Sequence, residues 1–335
     1  MTSDFKTRRY LLAFFAPVFL FSFFLFSLSW YFKFPLDDMV RAGYWVQRDF
    51  IEHSVQPVVY RRENGKNLVA PAILVLGDSF SDENNWQSFL PADKQFKTLT
   101  FHYKNVGCAT NWMRWNLQQE SPSVRTVVVQ VVERDFVWRF RQSACRDDMP
   151  IPVEISSDVI TRRHPVFKLI KDPEYLLRLT ENFWDVEQFH DRIVVGDAVN
   201  VPMNTGKLFS NNKSDRLLYF RIDERKREWE KAVIARCIAN LKSLQEMAAQ
   251  RGWKFLLIIV PDKSTVYKQF VRDAEDRINY PDVFSEIDAA GINQVKLLPY
   301  FEQQASQVVD LYRPGDTHLS FSGYQLMAKK IQEKL

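Results

Sequence analysis

Ala72-Ile73-Leu74-Val75-Leu76-Gly77-Asp78-Ser79-Phe80-Ser81 is a short apolar run that stops at a Gly-Asp-Ser turn. It is too brief for a helix and is bounded by glycine, so it predicts a buried parallel strand. Open α/β sheets bind ligands at the carboxyl ends of such strands, which puts Ser79 at the working edge. A helix is expected from about Asp82 to Leu90, and its first N–H groups would face an anion forming beside the serine hydroxyl. Ser79 is the candidate nucleophile.

A serine hydroxyl needs a base to take its proton and a third group to orient that base. The chain has five histidines, His53, His102, His164, His190 and His318. His318 stands out within Pro314-Gly315-Asp316-Thr317-His318-Leu319-Ser320, a turn-rich segment leading into an amphipathic helix. Asp316 lies two residues away, close enough in one loop to hold the imidazole tautomer. The bland alternative is a loop serine and a capped C-terminal helix. Asp78 is read as shaping the serine turn by accepting backbone N–H groups.

Gly77-Asp78-Ser79-Phe80 near the start and Asp316-Thr317-His318 near the end resemble the SGNH (GDSL-type) hydrolase superfamily. Val260-Pro261-Asp262-Lys263-Ser264-Thr265-Val266-Tyr267 and Asp316-Thr317-His318-Leu319-Ser320 with Gly323-Tyr324 are similar to the SGNH-like domains of the alginate O-acetylation proteins AlgJ and AlgX. The resemblance covers about residues 70 to 335 and implies a three-layer, flavodoxin-like α/β fold with a Ser-His-Asp triad and no cofactor. In the alginate proteins the Asp-x-His element precedes the serine. Here Ser79 comes first, the order of ordinary SGNH esterases and of DltD, although the Asp-x-His spacing is the alginate type.

Lys6, Arg8 and Arg9 precede an almost uninterrupted apolar run from about Tyr10 to Phe32. About twenty residues rising 1.5 Å each cross a bilayer core of about 30 Å. The run predicts a retained signal anchor, basic side in, with Asp37-Asp38 outside; a cleaved signal and a buried core helix are the alternatives. Residues 1–33 are then a cytoplasmic stub and anchor, 34–69 a linker climbing to the domain, and 70–335 the SGNH-like domain with an insertion at about 136–221. The domain would sit outside the cytoplasm, on the periplasmic face of a bacterial inner membrane. A formal charge of +4, with acidic and basic residues interleaved, does not suggest nucleic acid.

Further strands are expected at Lys97–His102, Thr126–Val132, Phe255–Val260 and near Val295–Pro299. Helices are expected from about Glu224 to Arg251, ending at Gly252, and from Gly323 to Leu335. Short apolar strands alternating with helices predict a parallel sheet covered on both faces. Within the insertion, Pro173–Trp184 reads as helical and Asn200–Ser214 as loop.

SGNH families use loops at strand ends for oxyanion stabilisation. The segment Asn105–Asn111 resembles the family's glycine block, and Asn105 or the Gly107 N–H are candidates to join the Ser79 N–H. After strand three comes Glu133-Arg134-Asp135, without the family's Gly-x-Asn-Asp element. Glu133 and Arg134 either bind substrate or orient the triad, or form a structural ion pair, and Lys263 is weighed the same way. Three scattered cysteines do not make a zinc site; Cys108 and Cys145 follow strand ends and are a candidate disulfide, and Cys237 reads as a buried helical thiol.

Three functions fit. The first is O-acyl transfer, by way of acyl-Ser79, to an envelope or exported polysaccharide. The resemblance then implies a membrane-bound O-acyltransferase as partner. The second is a carbohydrate esterase or deacetylase, in which water finishes the same reaction. The third is a non-catalytic glycan-binding subunit.

Overall fold

The structure, a computed structural model, describes residues 13–24, 27, 37–45, 47–54, 71–82, 85–91, 93–119, 121–142, 192–272 and 278–335. Four strands, β1 (Ile73–Gly77), β2 (Thr98–His102), β3 (Thr126–Val132) and β7 (Lys254–Val260), form a sheet in the order β2-β1-β3-β7. Every pairing in it is parallel. All four carboxyl ends therefore meet at one edge.

Strands β1, β3 and β7 each feed two cores because side chains alternate between the faces of a pleat. Ile73, Val75, Val128, Leu256 and Ile258 join one cluster, and Leu74, Leu76, Val127, Val129 and Leu257 the other. That is why these three strands read as largely apolar runs: both of their faces are dry. Helix α1 (Asp38–Ala42) precedes the sheet; α2 (Ala109–Gln118), α4 (Lys231–Gln250) and α5 (Val283–Ala289) cover the second face, and α6 (Leu297–Ala305) and α7 (Phe321–Gln332) the first. A short helix, α3 (Phe136–Phe140), adds Phe136 and Phe140 to the second face.

Several boundaries differ from expectation. The described residues after Ser79 form turns and a 3-10 helix at Trp86–Phe89 rather than the α-helix expected from Asp82. The long helix begins at Lys231, because Arg221–Glu228 winds as a 3-10 helix. At three residues per turn, Asp223 and Lys226 eclipse on one side, and both are buried. The far end is as expected: Gly252 has φ 74°, with Trp253 N–H bonding Ala248 O and Gly252 N–H bonding Ala249 O, a Schellman close. The strand expected near Val295–Pro299 shrinks to one parallel bridge between Leu257 and Gln294, and Leu297–Ala305 is helical.

Within the insertion, β4 (Ile193–Val195), β5 (Ala198–Pro202) and β6 (Arg216–Phe220) form an antiparallel sheet. Asn200–Pro202, expected as loop, is therefore strand. Val199, Val201, Leu217 and Tyr219 pack into the main core, and Ala198 and Leu218 face Met39, Val40, Trp45 and Phe50. Residues 37–54 thus pack against the domain rather than only leading to it. The helix expected at Pro173–Trp184, together with His164 and His190, lies outside the described residues.

Residues 13–24 are helical, with Phe14, Phe19, Leu20 and Phe23 exposed, and the remainder of the expected anchor except Ser27 lies outside the described residues. Among the described residues no helix is long and apolar enough to cross a membrane.

Helix α7 is held against the segment before the His318 loop by a close backbone approach. A Cβ on Gly323 would collide with Leu311 O. Gly323→Ala is expected to destabilise the fold by about 1–3 kcal/mol, read as a lowered thermal midpoint.

Candidate active site

The turn that carries Ser79 is tied to the neighbouring strand. Asp78, buried, accepts hydrogen bonds from Phe80 N–H (3.0 Å), Val132 N–H (2.6 Å) and Gln130 Nε2 (2.9 Å). Gln130 Oε1 accepts from Asp78 N–H (3.1 Å) and Ser81 Oγ (2.7 Å). Asp78 thus shapes the turn, as its position suggested. Gly77 is required there because a Cβ would come within 2.5 Å of Ser81 Cβ and 2.8 Å of Gln130 Oε1. Ser79 itself is exposed, and Asn85 Nδ2 donates to its carbonyl at 3.2 Å.

The second loop closes like a small hairpin. Tyr312 bridges Leu319, and Arg313 N–H bonds His318 O at 3.1 Å. Ser320 then caps α7 by accepting Gly323 N–H at 3.1 Å. Asp316 Oδ1 accepts both the backbone N–H of His318 (2.9 Å) and its ring Nδ1 (2.6 Å). This is the physical sense of a two-residue spacing: one oxygen orients the backbone and the ring of the same residue. With Nδ1 carrying the proton, bare Nε2 faces Ser79 Oγ at 2.9 Å. Phe80 packs against the imidazole, ring centroids 5.0 Å apart. Ser79, His318 and Asp316, named from opposite ends of the chain, form one hydrogen-bonded series.

Burial works to raise the Asp316 carboxyl, but the hydrogen bond and charge of His318, with Arg313, hold it well below the usual carboxylate range. Burial works to lower the His318 imidazole, and Asp316 and Asp38 outweigh it, so the pKa is raised.

Lys263 is buried beneath this loop. Its Nζ donates to the carbonyls of Arg313 (2.7 Å), Pro314 (2.7 Å) and Asp316 (3.4 Å) and lies 4.9 Å from the Phe209 ring centroid. Burial pushes its pKa down to about 7, against the pull of Asp316, Asp38, Asp37 and Asp310. Lys263 supports the His318 loop from below and points away from solvent.

Glu133 and Arg134 lie in a buried charge network at the ends of β3 and β7. Lys226 Nζ pairs with Glu133 (2.9 Å) and Asp262 (2.7 Å), and Arg134 pairs with Asp262 at 2.6 Å and approaches Asp223 at 3.7 Å. Glu133 Oε2 also accepts Asp262 N–H at 2.9 Å and Thr265 Oγ1 at 2.7 Å. Glu133 and Arg134 each pair with other residues, and those contacts join the strand ends to the 3-10 segment. Burial pushes Asp223 up to about 8.

The oxyanion candidates divide. Among the described residues Ser79 N–H has no acceptor, which leaves it for substrate. Gly107 N–H is taken by Tyr103 O at 3.1 Å, where Gly107 closes the helical turn Tyr103–Val106 with φ 71°; it does not join Ser79. Asn105 is exposed on that turn, which follows β2. Cys108 is disulfide-bonded and Cys237 is free and buried; Cys145 lies outside the described residues.

Sequence reading missed Asp37 and Asp38. Asp38 accepts Thr317 N–H (2.8 Å) and Thr317 Oγ1 (2.6 Å), and Asp37 pairs with Arg313 at 2.5 Å. Met39 and Val40 N–H groups bond Gly315 O at 3.1 and 3.2 Å. The two carboxylates stood next to an apolar run, so they read as topology signals. Asp38, Asp316 and His318 put ligand-type atoms within 4.8 Å of one another. Those atoms already bond Thr317 and each other, which suits support of an imidazole better than a cation.

Residues 214–335 match the model of the SGNH hydrolase-like domain of the acetyltransferase AlgX. No curated protein and no solved structure gave a match. The matched AlgX-like part contains Lys263, Asp316 and His318 but not Ser79, which the fold supplies from β1. This similarity relates the chain to hydrolases and acyltransferases, and the parallel sheet with helices on both faces fits an SGNH-like fold.

Two outcomes follow. Asp262→Ala would strand Lys226 and Arg134 with a lost partner and should cost about 3–5 kcal/mol of stability, read by denaturant unfolding. For His318, a folded pKa raised above the ordinary value of about 6.5 means that its pairing stabilises the fold fully below that value and less as pH rises through the folded pKa. A neutral base is needed for reaction, so the acid limb of kcat/KM should lie above about 6.5 while stability declines across the same interval.

Proposed function

We propose that this chain is a membrane-anchored, extracytoplasmic serine O-acyltransferase, most simply an O-acetyltransferase acting on an envelope or exported polysaccharide. The observation that carries the reading is the bonded series from Ser79 Oγ through His318 to Asp316. The acetyltransferase-related match and the apolar N-terminal run support it.

Ser79 Oγ attacks the acyl carbonyl as His318 Nε2 takes its proton, and the Ser79 N–H faces the developing oxyanion. Collapse expels the donor's leaving group, which takes the proton from His318. An acceptor hydroxyl then gives its proton to Nε2, attacks the acyl-serine carbonyl, and releases Ser79 with the proton restored. The anchor would hold the site beside a membrane-bound O-acyltransferase that loads it. No cofactor enters these steps.

Exposure of Ser79 favours a second reading, an esterase in which water replaces the acceptor.

Full-length protein in detergent, incubated with a chromogenic acetyl ester with and without oligosaccharide, should yield an acetylated Ser79 peptide and acetylated sugar by mass spectrometry. Ser79→Ala should lower turnover by about 10³-fold or more. Acetate release indifferent to sugar would support the esterase. Absence of both adduct and turnover, with tight glycan binding, would sink both readings in favour of a binding subunit.

A further inference from the structure

The imidazole of His318 meets a second carboxylate besides Asp316. Asp38 Oδ2 lies 3.7 Å from His318 Nδ1, too far for a hydrogen bond but close for a charge. Its position is built rather than incidental. The same carboxylate accepts two hydrogen bonds from Thr317, and the Asp38 N–H reaches Asp316 Oδ2 at 3.4 Å. The side chain is 29 % exposed, so water screens it incompletely.

We propose that Asp38 is a positioning residue for acyl transfer: it clamps Thr317 and adds a second negative charge beside Nδ1, so that the imidazolium formed when Ser79 gives up its proton faces two carboxylates. The proposal rests on the acyl-transfer reading above.

Among the described residues, the charged groups acting most strongly on His318 are three. Asp316 comes from its own loop and Asp38 from α1, both favouring the cation, and Arg134, after β3, opposes it. The turn after β1 offers neutral Ser79 and Phe80. Arg313, Asp37 and Lys263 act one step removed, through Asp316 and its loop. Asp38 therefore favours the charged state of the base against the opposing influence of Arg134. It raises the basicity that drives proton abstraction and lowers the energy of the state that follows.

Asp38→Asn is a suitable probe because an amide has the same shape. Its oxygen can accept Thr317 N–H and its NH₂ can donate to Thr317 Oγ1, so the clamp persists and the charge goes. In the full-length chain, imidazole resonances of His318 and the pH profile of kcat/KM should both report a base weaker by about 0.5–1 pH unit. The plateau of kcat/KM should fall about three- to tenfold, with an unchanged thermal midpoint at a pH where His318 is neutral. Asp38→Glu, which restores the charge, should return the His318 titration towards that of the unaltered chain. An acyl-Ser79 adduct in the unaltered chain, together with the same His318 titration and acid limb in D38N, would overturn the proposal alone. Failure of the unaltered chain to form the adduct would overturn the acyl-transfer reading and the proposal together. A lowered midpoint with an unshifted titration would mark Asp38 as a clamp and nothing more, which also overturns it.

Discussion

One carboxylate oxygen of Asp316 accepts two N–H groups of the same residue, and the proposed reaction depends on that double contact. A single bond to the ring would leave the imidazole free to swing about it. Two bonds, to backbone and ring, leave one orientation in which Nε2 points at Ser79. The contact survives only if the loop keeps its shape. Lys263 pins the loop from the core, Arg313 closes it from the side, and α1 covers it through Asp38 and the amides of Met39 and Val40.

The charges beneath the site serve a different end. Glu133, Arg134, Asp223, Lys226 and Asp262 join β3, β7 and the 3-10 segment into a single block at the sheet edge. Buried ion pairs add little net stability, because desolvation offsets most of their attraction. What they supply is direction: each partner left alone would be an uncompensated buried charge, so the strand ends must meet in one arrangement. The Asp262 that accepts from Arg134 and Lys226 is next in the chain to Lys263, and the loop support is thereby registered to the sheet.

Periodicity carried the main elements. From Val127 to Val132, β3 is an apolar stretch interrupted only by Gln130, and burial on both faces is the reason such a stretch is visible without context. The segment after Ser79 was less legible. Asp82 onward has the residues of a helix start, but hydrogen bonds from Trp86 and Gln87 to Ser81 fold it into turns. Gly107 had the right residue type for an oxyanion donor, and its N–H went to close a local helical turn. Lys263 and the Glu133–Arg134 pair were noticed, yet whether they faced substrate or core depended on side-chain direction, which strand-end position leaves open.

The chain by itself determined the parallel α/β scaffold, the serine at a strand end, and the Asp-x-His spacing, because each is a local pattern: burial period, turn chemistry, or two residues within reach of one another. Only the tertiary structure decided that Ser79 and His318 meet across 239 positions of sequence, and that Asp38, some forty residues before the serine, stands beside the same ring. Contacts of that kind arise when separate elements dock on one sheet edge, and no local pattern encodes which loops will share it.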